Sequence, residues 1–449
     1  MSLYMYLNVF ILLALVDEYY YSIFIAVNKT SGVRLYELCL VCIFFLVTFV
    51  TDETRYGRRY LVITVLTFCV LLGLILSSMA NNLMLLFISV ELASLGIITL
   101  CGITNKSTSA YEAALTYFFS ACISSSVMLI GFAIIYYSTG TMHLSEINII
   151  YSGASEYIDS YQLWLGQISF FCITCSFCIK LYLFPGHLWA FNVYHNIDTN
   201  ILLLLGIPVF LTSWILYIRI FSAVTNGYLL VELQYIFYFC GIISMIIGLL
   251  SGIWYRTPHR LVASNSILIS GTFLLILSVN NYNALSSFFV YYCIYLVTLL
   301  LLGLSTLSVE SLFSGSTPVT IADLGALYKE NSLLSFLCSI LLFSLTGLPP
   351  FAGFFLKVEL LTNIMSSYFF STIIILTVVG TFSAFYYIRI IKGLYYEKST
   401  TWLVFNKNIN FFSIATCIFL ILILNTLFIY NIGAVIHFCL ELFTVVYIY

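Results

Sequence analysis

Three ionisable residues stand inside long apolar runs of this 449-residue chain. Glu91 lies midway along 82–104, Lys180 precedes Pro185-Gly186-His187, and Lys357 follows Gly347-Leu348-Pro349-Pro350-Phe351-Ala352-Gly353. An ion at the centre of a bilayer costs about 2.5–3.5 kcal/mol on insertion scales, so an ionisable side chain there is a functional candidate. Glu91 must be protonated, paired or next to water. Lys180 lies late enough in its run to snorkel to the headgroups, which is the plain alternative for it. The chemistry that such residues offer is the binding and release of a cation or a proton.

The elements that hold them follow from composition. With 62% hydrophobic and 8% charged residues, the chain is too apolar for a water-facing surface, which carries roughly a quarter charged residues. A bilayer core needs about 20 apolar residues per helix, and every backbone group inside it must be satisfied internally. The expected fold is therefore all-α, a polytopic membrane helical bundle of about 13–14 transmembrane helices. The spans fall near 3–28, 33–50, 60–79, 82–104, 110–138, 162–184, 200–222, 228–253, 259–280, 284–308, 333–362, 367–391 and 409–430, with 433–449 crossing or lying at the interface. Assigning the connections alternately to two sides gathers Arg55, Arg58, Arg59, Lys106, Arg256, Arg260, Lys329, Lys392, Lys398 and Lys407 on one of them. The other receives Lys29, Arg34 and an acidic 139–161 loop, so the basic side is matrix or cytoplasm.

The first residues show the pattern of neither a cleavable signal nor an Arg-rich transit peptide, so direct insertion is expected, and 35 Tyr, 39 Phe and 6 Pro suit an AT-rich organellar gene. Cysteines such as Cys172, Cys175 and Cys178 lie within spans, where cysteine packs as a small apolar residue, so no metal site is expected. No glycine-rich nucleotide fingerprint follows a strand, and no nucleic-acid partner is expected.

A straight helix over 333–362 would measure about 45 Å at 1.5 Å per residue, too long for a bilayer. Consecutive prolines remove two donors and the flanking glycines permit unwinding, so this run is expected to break into two halves beside a protein-lined or water-filled cavity. Pro185-Gly186 marks a related break after Lys180. Five spans in 60–222 and five in 228–391, each with a lysine in its fourth, predict two inverted five-helix repeats with broken helices. Residues 1–59 then supply N-terminal transmembrane helices, and 392–449 a last helix with a short apolar tail.

The stretch Asn82-Leu83-Met84-Leu85-Leu86-Phe87-Ile88-Ser89-Val90-Glu91-Leu92-Ala93-Ser94-Leu95 resembles the glutamate helix of the antiporter-like membrane subunits of respiratory complex I. In order come Glu112-Ala113-Ala114-Leu115-Thr116-Tyr117-Phe118, Thr139-Gly140-Thr141, Lys180-Leu181 with His187-Leu188-Trp189 and Val193-Tyr194, Arg260-Leu261-Val262-Ala263-Ser264-Asn265-Ser266-Ile267, Ser344-Leu345-Thr346-Gly347-Leu348-Pro349-Pro350 with Lys357, and Tyr386-Tyr387-Ile388-Arg389. The ordered set covers about residues 60–395. Lys357 sorts the chain away from the subunit 4 branch, which carries a glutamate there. The long lateral extension of the subunit 5 branch is not expected after the core.

The resemblance implies that Glu91 pairs with Lys180 to set its proton affinity, that His187 continues a hydrated path, and that Lys357 gates exit on the opposite side. A carboxylate near a buried lysine favours its charged form while desolvation opposes it, so changing their separation loads and releases a proton. It further implies a core membrane-arm subunit of NADH:ubiquinone oxidoreductase in the mitochondrial inner membrane, encoded in the organelle. NADH, FMN, iron–sulfur clusters and ubiquinone would be held by partner subunits and no cofactor by this chain. The partners would include subunit 4-like and small membrane subunits, and membrane lipids.

Several family positions are not met. Thr116 and Ile269 stand where a lysine and a histidine are usual, Phe210 where a second central lysine is expected, and Asn192 replaces an aspartate. Two other readings therefore stand beside the first: a subunit of a stand-alone cation/proton antiporter, and a structural complex I subunit with a degenerate channel. Arg219, Arg256, Arg260 and Arg389, near span ends, are expected to meet headgroups or partner subunits.

Overall fold

In an apolar medium a helix is the only open-ended element that satisfies its own backbone, and the long apolar runs fold accordingly. The computed structural model describes residues 59–104, 108–153, 160–224, 230–279, 281–312, 320–330, 332–349, 351–365 and 370–396. The spans expected at 3–28, 33–50 and 409–430, and the 433–449 tail, lie outside the described residues.

In chain order the helices are α1 (Tyr60–Met79), α2 (Leu83–Thr104), α3 (Thr108–Thr139), α4 (Leu144–Gly153), α5 (Ser160–Lys180), α6 (Leu188–Asn196) and α7 (Thr199–Leu204). A π-turn at Leu205–Val209 then leads directly into α8 (Phe210–Val224). They continue with α9 (Leu230–Trp254), α10 (Pro258–Val279), α11 (Tyr282–Leu312), a 3₁₀ turn at Ile321–Leu324, α12 (Gly325–Glu330), α13 (Ser332–Thr346), α14 (Ala352–Met365) and α15 (Phe370–Tyr395). Seven stretches of the described chain are long and apolar enough to cross a membrane.

Three elements differ from the sequence expectation, each for a local reason. The 162–184 span stops being helical at Lys180. The acidic 139–161 loop contains α4, held by Leu83 N–H donating to Met142 O at 3.0 Å and Leu144 N–H to Asn81 O at 2.9 Å. The 200–222 span is continuous in direction but widened around Pro208, whose missing N–H suits a π-turn.

The described helices divide into two compact units, with the boundary after Ile236, inside α9. In the first, α1 and α2 form an antiparallel hairpin whose closest approach is set by glycine. A Cβ at Gly73 would lie 2.8 Å from Ala93 N and Ser89 O, and one at Gly96 2.6 Å from Val70 Cγ2. In the second unit the corresponding pair, α9 and α10, repeats that register. A Cβ at Gly248 would lie 2.7 Å from Leu268 N and 2.8 Å from Ser264 O, and one at Gly271 2.8 Å from Met245 N. The same glycine register thus sets the close approach of both hairpins.

Arginines close both hairpins. Arg219, on α8 and only 9% exposed, donates Nη1 to the carbonyl of Ser78, one residue before the end of α1. Arg389, on α15 and half-buried, donates to the carbonyl of Ile253, one residue before the end of α9, at 2.6 Å. The last carbonyls of a helix have no intrahelical partner and carry its negative pole, so a buried guanidinium satisfies both needs. This corrects the expectation that Arg219 meets headgroups: it is an internal helix cap.

Arg219→Met leaves the Ser78 carbonyl unpaired, a loss of about 1–3 kcal/mol for a buried acceptor. Quantitative mass spectrometry of the membrane fraction should show the chain depleted in this variant. Arg389→Met, with solvent or headgroups close at hand, should deplete it less.

Candidate functional site

The break after Lys180 is a helix C-terminus built to a definite pattern. Tyr182 N–H donates to Ile179 O at 3.5 Å and Leu183 N–H to Cys178 O at 2.8 Å, the paired bonds of a Schellman turn. The position that turn usually gives to glycine is held by Tyr182, at φ 59°. Left-handed backbone at a bulky residue costs roughly 1–2 kcal/mol. The tyrosine ring offsets that strain by burial: it stacks on Phe210 at 5.0 Å, lies 5.0 Å from Trp189, and its hydroxyl receives that of Tyr194 at 3.1 Å. Trp189 Nε1 in turn donates to Ile179 O at 2.9 Å, tying α6 back across the break.

Lys180, the last helical residue, lines a partly open cavity of about 60 Å³, room for a few waters. Its wall is mostly apolar but includes hydroxyl residues from four elements, Ser77 on α1, Ser94 on α2, Ser120 and Ser124 on α3, and Thr212 and Ser213 on α8, each donating to the carbonyl three residues before it. Lys180 Nζ is buried without a hydrogen-bond partner, and so is Glu91 Oε1. The two side chains therefore make no hydrogen bond to each other, although Glu91 lies close enough to act on Lys180 electrostatically. Ser94, one turn along the same helix, donates its hydroxyl to Glu91 O at 2.9 Å and lies 3.4 Å from Glu91 Oε2.

His187 is 9% exposed at the start of α6, its Nδ1 without a partner, stacked on Phe184 at 6.1 Å and edge-on to Phe191 at 6.4 Å. It is not among the residues lining the cavity. Phe210 and Thr116 do not line it either; Phe210 is packed under Tyr182, and Thr116 bonds its own helix at Ala113 O, 2.9 Å.

The second unit breaks its helix with the same turn. Gly347 N–H donates to Ser344 O at 3.1 Å and Leu348 N–H to Phe343 O at 3.5 Å, with Gly347 at φ 80°. Here the lysine comes after the break rather than before it. Lys357, on α14, reaches back and donates to Leu345 O at 2.7 Å and Thr346 O at 3.0 Å, the orphan carbonyls of α13. Its Nζ also lies 6.0 Å from the Tyr291 ring centre. A Cβ at Gly353 would sit 1.8 Å from Ser344 O, so the two helix halves meet at that glycine.

Sequence reasoning named the lysines and Glu91 but passed over the hydroxyl lining. Its signal was present in the Ser120 and Ser124 spacing of one helical turn, which places both on one face. It also passed over Asp198, a carboxylate 8% exposed just before α7.

Paired hairpins with two interrupted helices and a lysine at each break define a transporter-like membrane fold. The chain belongs to the family described as NADH:quinone oxidoreductase/Mrp antiporter, TM, which matches residues 80–383. It is 29% identical over 359 residues to NADH-ubiquinone oxidoreductase chain 2 of Oenothera berteroana, covering 79% of this chain and 70% of that one. To NADH-quinone oxidoreductase subunit N of Pelagibacter ubique it is 30% identical over 352 residues, covering 77% and 72%. Its fold is similar to a chain of respiratory complex I from Thermus thermophilus, at TM-score 0.73, 21% identity and coverage of 91% and 86%. A chain of the Mrp complex from Dietzia matches at TM-score 0.73, 17% identity and coverage of 92% and 84%.

Gly353→Ala places a methyl group on a backbone carbonyl that cannot yield. The variant should fail to accumulate in the membrane fraction, read by quantitative mass spectrometry, whereas Gly380→Ala, with nothing within 4 Å of its Cβ position, should accumulate normally.

Proposed function

We propose that this chain is a membrane-arm subunit of the chain 2 or subunit N type in an NADH:quinone oxidoreductase, and that it moves protons across the membrane. The observation that carries the reading is Lys180 on a mostly apolar cavity with a few hydroxyls in its wall, unpaired yet within electrostatic reach of Glu91. An ammonium with no partner in a dry site is costly; in a cavity with room for water it becomes a group that takes up and gives up a proton.

In this reading Glu91 controls the proton on Lys180. When the carboxylate approaches through Ser94, the charged lysine is favoured; when it withdraws, the proton leaves by the water chain. His187 continues the path beyond the break. Lys357, resting on the carbonyls of α13, is the gate of the second repeat: it must leave Leu345 and Thr346 to pass its proton on. The two five-helix repeats, 60–222 and 228–391, are inverted with respect to the membrane. Electron transfer occurs in partner subunits that hold NADH, FMN, iron–sulfur clusters and quinone, while this chain holds no cofactor. Its neighbours are the subunit 4-like and small membrane subunits, and the setting is the mitochondrial inner membrane.

Replacement of three usual ionisable stations by Thr116, Phe210 and Ile269 supports a second reading, a structural subunit whose channel has decayed. A stand-alone cation/proton antiporter shares the fold. Lys180→Met in the assembled complex separates the first two readings. Proton pumping should fall to a lower number of protons per NADH oxidised while the complex still assembles; an unchanged ratio supports the structural role. Ala121→Leu, which fills the cavity from α3, should lower the ratio in the same direction. Co-migration of the chain on a native gel with NADH dehydrogenase activity excludes the stand-alone antiporter.

A further inference from the structure

The last four carbonyls of α13 are those of Phe343, Ser344, Leu345 and Thr346, and a helix leaves all four without a backbone partner of its own. The turn answers two of them, with Leu348 N–H on Phe343 O and Gly347 N–H on Ser344 O. Pro349 and Pro350 come next and have no N–H to offer the other two. The ammonium of Lys357 takes both, at 2.7 Å on Leu345 O and 3.0 Å on Thr346 O. An ammonium has three donors, so this one cation completes the helix end.

The route by which it arrives is narrow. Lys357 starts from the second turn of α14, and its stem passes directly over Gly347. A Cβ on that glycine would lie 2.9 Å from Lys357 Cδ, 3.1 Å from Nζ and 3.4 Å from Cε. Gly347 also stands at φ 80°, which by itself explains a glycine. The two demands are separable, because asparagine accepts left-handed backbone yet carries a Cβ. The atoms that must yield to such a Cβ belong to the far end of a flexible side chain, so the turn can stay while the amine moves off.

We propose that Gly347 is a positioning residue for Lys357: its bare Cα is the seat over which the lysine reaches the carbonyls of Leu345 and Thr346, and a side chain at 347 holds the amine off the end of α13. The inference rests on the gating role given to Lys357 above. It assigns to Gly347 a task beyond the left-handed turn, since the same atom that permits the break also admits the charge that closes it. Gly353 has a different part: it lets the backbones of α13 and α14 meet, which brings Lys357 within reach.

The plain alternative is that Gly347 serves the turn alone. The experiment measures protons pumped per NADH oxidised in vesicles holding the assembled complex, with Lys357→Met as the reference. An unchanged ratio in that reference overturns the gating role of Lys357 and this inference with it. Given a fall there, Gly347→Asn should lower the ratio by the same step while a native gel shows the parent amount of complex. A parent-like ratio for Gly347→Asn overturns the seat and leaves the gating role standing, because left-handed backbone was then all that the glycine supplied. A map of the Gly347→Asn complex should show Lys357 Nζ away from both carbonyl oxygens; an ammonium still bonded to Leu345 O and Thr346 O overturns the proposal. Should Gly347→Asn fail to accumulate, Lys357→Ala is added to remove the stem that the new Cβ meets. The double variant should then accumulate to the level of Lys357→Ala alone, and a double variant that stays depleted counts against the seat, since the loss then belongs to the turn.

Discussion

A helix that stops inside an apolar slab strands its last carbonyl groups where no water reaches them, and the rest of this structure follows from how those groups are satisfied. Both units end the interrupted helix with a Schellman turn, one through Gly347 and one through the strained backbone of Tyr182. The turn answers two carbonyls and leaves a negative pole, which favours a cation nearby. Each unit supplies a lysine at that point, and each closes its outer hairpin with an arginine on a carbonyl near a second helix end.

The two solutions are not the same. Lys357 spends its donors on Leu345 and Thr346, so the second break is closed by its own lysine. Lys180 makes no such bond and faces a cavity instead. What the two units share is the break and the hairpin register, whereas the lysine precedes the break in one and follows it in the other. One unit thus leaves its amine facing a cavity, while the other holds its amine on helix-end carbonyls.

Much of this architecture was legible in the sequence because its determinants are local. Apolar run length located the described spans, and the Gly-Pro-Pro cluster marked the break at 347–351. Other features depend on contacts between residues distant in sequence. Tyrosine is a poor choice for left-handed backbone, so only the Phe210, Trp189 and Tyr194 surroundings explain Tyr182. Arg219 reads as a span-end anchor until Ser78, 141 residues away, is seen to need a donor. Serines on separate helices look like ordinary small residues, and only packing gathers them around Lys180.

The central claim is that the interrupted helix beside Lys180 exists to keep a charged amine in contact with water inside the membrane. A map of the assembled complex at a resolution that places ordered solvent tests it most directly. The account predicts waters in the cavity, one on Lys180 Nζ and one on Ser94 Oγ, joined to each other by hydrogen bonds. A dry cavity, closed by side chains or filled by an acyl chain with Lys180 swung to a headgroup, would contradict it.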